Sequence, residues 1–123
     1  MFENLDIFRM AQSMAIHAGK RQALIAQNIA NADTPGYKPL EITSFSEVIQ
    51  RSNAAGQTAR NRLPQTVAGL EPFASGDGSA PNGNAVSIEA EMVKAVESKQ
   101  QHDQALAIYK SSMSILRGAI GRR

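Results

Sequence analysis

Two long segments, one near each end of the chain, repeat apolar residues with the alternating three- and four-residue spacing of a heptad. In residues 3–32 the repeating positions are Phe8, Ala11, Ala15, Ala18, Gln22, Ile25, Ile29 and Ala32. In residues 87–120 they are Ile88, Met92, Ala95, Lys99, His102, Leu106, Tyr109, Met113, Leu116 and Ile120. This period places the repeating residues on one narrow face of an α-helix. We therefore predict two long helices that pack together along these faces.

The second helix has clear signals at both ends. Ser87 is a predicted N-cap, because its hydroxyl can accept a hydrogen bond from a free amide of the first turn. Glu89 and Glu91 follow as negative charges near the positive end of the helix dipole. Gly118 and Gly121 weaken the helix before the chain ends in arginines.

The region between the helices has a different composition. Residues 51–85 contain five of the nine Gly and three of the five Pro, which interrupt helices. Two short apolar pieces, 45–49 and 67–73, could form a turn of helix or short strands, or stay disordered until bound. We predict a mainly α fold with three parts: a helix in 1–32, a loop-rich and partly extended segment in 33–86, and a helix in 87–123.

Composition indicates a thin core. Hydrophobic residues make up 42% of the chain and aromatic residues 5%. Two helices with one narrow apolar face each bury little surface, so we expect a coiled-coil-like bundle that completes its burial against other chains. A monomeric helical hairpin is the alternative. The net charge of +2 is scattered, without the dense basic stripe of a nucleic-acid-binding protein.

Catalytic and metal-binding patterns are missing from the sequence. The chain has no Cys and two histidines, His17 and His102. His102 and Asp103 are adjacent, and adjacent helical residues do not face each other. The glycines near Gly76 lack the Lys-Ser/Thr of a phosphate-binding loop. We expect no enzyme activity, no cofactor, no metal and no small-molecule substrate; a helical adaptor or chaperone is the alternative class.

The junction after the first helix has the sequence Asn28-Ile29-Ala30-Asn31-Ala32-Asp33-Thr34-Pro35-Gly36-Tyr37-Lys38. Pro35 disfavours helical geometry at Thr34. Pro35-Gly36 is a strong turn pair, in which Gly36 can adopt a positive φ. We expect an abrupt helix end followed by a fixed corner, with the Tyr37 ring contributing through packing more than through its hydroxyl.

This string resembles the N-terminal signature of the flagellar axial proteins, the family of rod, hook and hook-associated proteins. The resemblance marks Asn28, Asn31, Asp33, Thr34, Pro35, Gly36 and Tyr37 as the family signature. The short length is similar to that of the proximal-rod subunits. Residues 82–92 resemble the lead into the last helix of the B-type subunit, and the C-type subunit is the alternative. The implied function is a structural subunit of the rod, the drive shaft that transmits torque from the motor to the hook.

The resemblance also implies location and partners. Axial proteins leave the cytoplasm through the flagellar export apparatus without a cleaved signal peptide, and the rod lies in the periplasm. The implied partners are further copies of the chain, other rod subunits, the inner-membrane (MS) ring and the adaptor at the rod base. Phe45 and Ile49 resemble a hydrophobic element thought to dock on the export gate, although simple packing onto the helices explains them as well.

Overall fold

The computed structural model describes residues 2–75 and 86–121, with side chains from residue 5 onward. It contains five helices and two short strands. In chain order they are α1 (Phe2–Ala30), β1 (Leu40–Glu41), α2 (Phe45–Ala55), α3 (Gln57–Asn61), α4 (Leu63–Ala68), β2 (Phe73–Ala74) and α5 (Ile88–Gly121).

Helices α1 and α5 are the longest elements, with 29 and 34 residues. They pack side by side and antiparallel, since the end of α1 contacts the start of α5 and the start of α1 contacts its second half. The prediction of a mainly α fold built on two paired terminal helices is confirmed. The Ser87 N-cap is also confirmed, because Ser87 Oγ accepts a hydrogen bond from the Ala90 amide at 3.3 Å.

The face of α5 that contacts α1 differs from the predicted one. The buried positions are Glu91, Ser98 and Ala105, at 2%, 0% and 1% exposure. They precede Met92, Lys99 and Leu106 of the predicted face by one residue. Ser98 Oγ donates to the Ala18 carbonyl at 2.9 Å. The helices thus meet through small and polar side chains that bond across the contact.

The predicted packing residues are accordingly divided between buried and exposed positions. On α1, Ile25 is buried, whereas Ile29 is exposed. On α5, Met113 and Leu116 are half-buried. The exposed members on α5 are Met92, Leu106, Tyr109 and Ile120. The heptad correctly located the helices. Within a single chain α5 packs mainly against α1, and its small residues allow the closer contact.

The middle segment contains more helix than its composition suggests. Helix α2 begins at a Ser44 N-cap and ends at Gly56, which has a φ of +103°. Pro64 lies in the first turn of α4, where a missing amide donor costs little. The apolar residues of these helices pack against α1 and α5 in a core formed by Met14, Phe45, Val48, Leu63, Val67 and Ala105.

Two further observations complete the fold. Strands β1 and β2 form one antiparallel pair, with Leu40 opposite Ala74 and Glu41 opposite Phe73. None of the helices in the described ranges has both the length and the apolar character needed to cross a membrane.

Candidate functional site

The chain turns sharply after α1, in the signature segment of residues 28–38, which we call the corner. Asn31 Nδ2 donates to the Gln27 carbonyl at 2.8 Å, and the same carbonyl also accepts from the Asn31 amide at 3.1 Å. Asn31 Oδ1 in turn accepts from the Thr34 hydroxyl at 3.2 Å. The side chains of Asp33 and Pro35 are exposed. Polar side chains of the signature thus hold the first part of the corner.

A tight turn follows at residues 34–37. The Tyr37 amide donates to the Thr34 carbonyl at 3.2 Å, and Gly36 has a φ of +78°. These are the features of a type II turn, which requires positive φ at its third residue. A Cβ on Gly36 would meet no atom within 4 Å, so the restriction to glycine there is conformational and not steric. The predicted positive φ of Gly36 is confirmed.

Asn28 is the centre of the corner. Its side chain is fully buried, and both of its polar atoms are used twice. Oδ1 accepts from the Tyr37 hydroxyl and from the Leu40 amide, both at 2.9 Å. Nδ2 donates to the Leu40 carbonyl at 2.9 Å and to Glu91 Oε2 at 3.1 Å. Its full hydrogen-bonding capacity is therefore met by three separate elements.

Tyr37 makes a polar contact in addition to the packing role expected from sequence. Its hydroxyl donates to Asn28, so the ring anchors the turn to α1 by a polar contact. The sequence did hold a signal for this role. Asn28 lies in the last turn of α1, and asparagine is a poor helix former unless its side chain finds a specific partner.

Glu91 joins the corner to α5, a role that its sequence position did not reveal. The sequence indicates only a charge of the first turn, and the structure shows that Glu91 is 2% exposed. Lys94 Nζ lies 3.0 Å from Glu91 Oε1, and 3.8 Å from Glu41 Oε2. Arg21 continues the chain of charges, because it contacts both Glu41 and Glu97. A buried carboxylate needs such pairing, so this network fixes α1, β1 and α5 relative to one another.

A second junction of three elements lies at His17, which is 2% exposed. Nε2 donates to the Thr43 carbonyl at 2.7 Å, since a carbonyl can only accept. Nδ1 therefore accepts from Gln101 Nε2 at 3.1 Å. The imidazole ring packs against Phe45 with a centroid distance of 5.7 Å. Burial lowers the pKa of His17, and the positive charges of Arg21 and Lys20 add to this, while the Thr43 bond and Glu41 act in the opposite direction.

The two residues of the suggested export element lie inside the fold. Phe45 is 9% exposed and belongs to the core, and Ile49 packs against the same core. In residues 2–75 and 86–121 there is no group of three or more His, Asp or Glu side chains that could hold a metal ion. The contacts at the corner and at His17 position the surrounding elements relative to one another.

Comparisons with known proteins agree with this geometry. Residues 8–38, which include most of α1 and the corner, match the family model described as "Flagella basal body rod protein". The flagellar basal body rod protein FlgB of Escherichia coli (strain K12) is 30% identical, over 98% of this chain and 92% of its own length. FlgB of Agrobacterium fabrum is 29% identical over 87% of each chain. FlgB of Salmonella typhimurium is 24% identical over 96% of this chain and 99% of its own.

The signature corner, the paired terminal helices and the near full-length similarity thus lead to one assignment. The chain belongs to the family of the flagellar basal body rod protein FlgB and is a structural subunit of the flagellar basal body rod.

Proposed function

We propose that this chain builds the proximal part of the rod by packing against further copies of itself and against other rod subunits. The observation that carries this proposal is the exposure of large apolar side chains along α5. Met92, Val93, Val96 and Ile120 are each 57–63% exposed. Exposed apolar surface of this extent is characteristic of a protein–protein interface.

The polar network at the corner supports a mechanical role. A drive shaft must transmit torque without its subunits deforming. Asn28 and Glu91 tie the end of α1, the corner and the start of α5 into one unit through buried hydrogen bonds. Buried and fully satisfied polar networks are rigid and specify a single geometry. Each subunit would then carry load as a stiff helix pair.

The proposal includes passage through the flagellar export apparatus, without a cleaved signal peptide, to a rod in the periplasm. If Phe45 and Ile49 dock on the export gate, they must first leave the core, because Phe45 is buried in the folded chain. Gate docking and folding of the middle segment would then exclude each other. At the rod base the partners would be the MS ring and the small adaptor protein.

A non-catalytic role is part of the same proposal, since stiffness and complementary surfaces are sufficient for a rod. The alternative, a soluble helical adaptor or chaperone, predicts a chain that remains outside the basal body. The second candidate gains no support from the corner, whose rigid geometry suits a repeated building block better than an adaptable binding surface.

The direct test is location. Cells lacking the gene would be complemented with the wild-type chain carrying a short epitope, and basal bodies would be purified. We expect rods to be absent without the gene and restored with it, with the epitope detected in the proximal rod by immunoelectron microscopy. Intact rods in the deletion strain, or an epitope found only in soluble fractions, would contradict the proposal.

A further inference from the structure

The first half of α5 carries an apolar ridge on the side away from α1. We use this name for Ile88, Met92, Val93 and Val96, which are 46–59% exposed. Val96 lies roughly 160° around the helix from the buried Ser98, because successive residues are about 100° apart. The ridge therefore points away from the contact with α1, and another surface is needed to cover it.

A groove of matching character lies at the other end of the helix pair. It has a volume of about 610 Å³ and runs between the first half of α1 and the second half of α5. Its apolar lining includes Leu5, Phe8, Leu106, Tyr109, Met113 and Leu116. Leu106 and Tyr109 are 41% and 47% exposed, so the groove is open to a partner.

The charges beside the two surfaces are opposite. Glu89 and Glu97 flank the ridge four residues on either side of Val93, and both are exposed, although Glu97 also contacts Arg21 of its own chain. Lys110 and Arg117 are exposed on the half of α5 that lines the groove. No acidic residue occurs from residue 104 to 121. The two surfaces therefore complement each other in both apolar character and charge.

We infer that the ridge of one copy of this chain occupies the groove of the next copy. This inference rests on the proposed self-assembly and specifies its geometry. Met92 and Tyr109 are 17 residues apart on α5, about 25 Å along the helix, so ridge and groove do not overlap. A row of such contacts between copies leaves one free ridge at one end and one free groove at the other. Such a head-to-tail interface does not close into a symmetric dimer and extends into a ring or an open helical assembly.

Two double variants separate the two surfaces. The ridge variant is Met92→Ser with Val96→Ser, and the groove variant is Leu106→Ser with Lys110→Glu. All four side chains are exposed, so both variants should fold, which circular dichroism would check. The matched control is Ile115→Ser, a 66% exposed apolar residue of the same helix outside ridge and groove. Sedimentation velocity at increasing concentration gives the mass of each sample and of an equal mixture of the two variants.

We expect the wild type and Ile115→Ser to form a series of growing species, while each double variant alone remains monomeric. The mixture should form one-to-one dimers and nothing larger, because one intact ridge meets one intact groove. Variants that assemble like the wild type, a mixture that stays monomeric, or a wild type that stops at dimers would overturn the inference. A failure of the proposed function would be seen in a different experiment: the wild-type chain would be absent from purified basal bodies.

Discussion

The side-chain amide of Asn28 donates to the carboxylate of Glu91 across 3.1 Å, although 63 residues separate the two in sequence. This bond connects the last turns of α1 with the first turn of α5 at the level of the corner. It places the family signature and the C-terminal helix in one buried unit.

Replacement of Asn28 by alanine tests this unit. Asn28→Ala removes four hydrogen bonds, which leaves the Leu40 amide and carbonyl and one carboxylate oxygen of Glu91 without their Asn28 partner. We expect the free energy of unfolding to fall by about 2–4 kcal/mol, because unsatisfied buried polar groups are costly. Urea denaturation measures this change. The control Asn53→Ala, at an exposed position of α2, should change it by less than about 0.5 kcal/mol. Equal effects of the two substitutions would contradict the role of Asn28.

The corner glycine gives a second prediction. Gly36→Val should destabilise the turn by about 1 kcal/mol or more, since valine disfavours the φ of +78°. The helix content measured by circular dichroism should remain nearly unchanged. Rod formation should be strongly impaired, because the altered corner is repeated in every subunit. Lys38→Val, at an exposed position beside the turn, is the control. Normal motility with Gly36→Val would show that the corner geometry is dispensable.

The buried histidine makes stability depend on pH. Burial lowers the pKa of His17 below its ordinary value of 6.5 in the folded chain. Below pH 6.5, His17 is therefore more fully protonated in the unfolded chain than in the folded chain. The contribution of neutral His17 to the free energy of unfolding is complete above pH 6.5. It is lost as the pH falls from 6.5 through the pKa of His17 in the folded chain. Protonation would also turn Nδ1 into a donor facing the donor group of Gln101.

Urea midpoints measured between about pH 7.5 and pH 5, above the range where most carboxylates titrate, check this effect. The wild type should lose stability across this window. His17→Gln should lose less, because glutamine can donate to Thr43 and accept from Gln101 without titrating. His102→Gln, at a half-buried position of α5, serves as the control and should follow the wild type. Parallel pH profiles for wild type and His17→Gln would contradict the assignment.

The sequence predicted the elements better than their contacts. The heptads located α1 and α5, Ser87 indicated where α5 begins, and Pro35-Gly36 indicated the turn, because each signal is local. The contact face of α5 could not be predicted in this way. Apolar spacing shows which side chains seek burial, and it does not distinguish burial within one chain from burial between chains.

The pairing of Asn28 with Glu91 was equally inaccessible from sequence. A polar residue in a helix gives no indication of a partner 63 positions away, and Glu91 has the appearance of an ordinary first-turn charge. The helices of the middle segment were obscured by its Gly and Pro content. Tertiary packing of Val48, Leu63 and Val67 overrides those weak local preferences.

The central claim is that this chain is a rod subunit whose assembly uses the outward-facing apolar residues of α5. Its most direct test is the amount of chain in purified basal bodies, relative to its amount in the cell, for Leu106→Asp and for the exposed control Gln104→Asp. Both variants should unfold at the wild-type urea midpoint, since neither position is buried in the single chain. We predict at least a roughly tenfold loss from basal bodies for Leu106→Asp, because an interface would bury an unpaired carboxylate, and no loss for Gln104→Asp. Wild-type occupancy by Leu106→Asp would contradict the account.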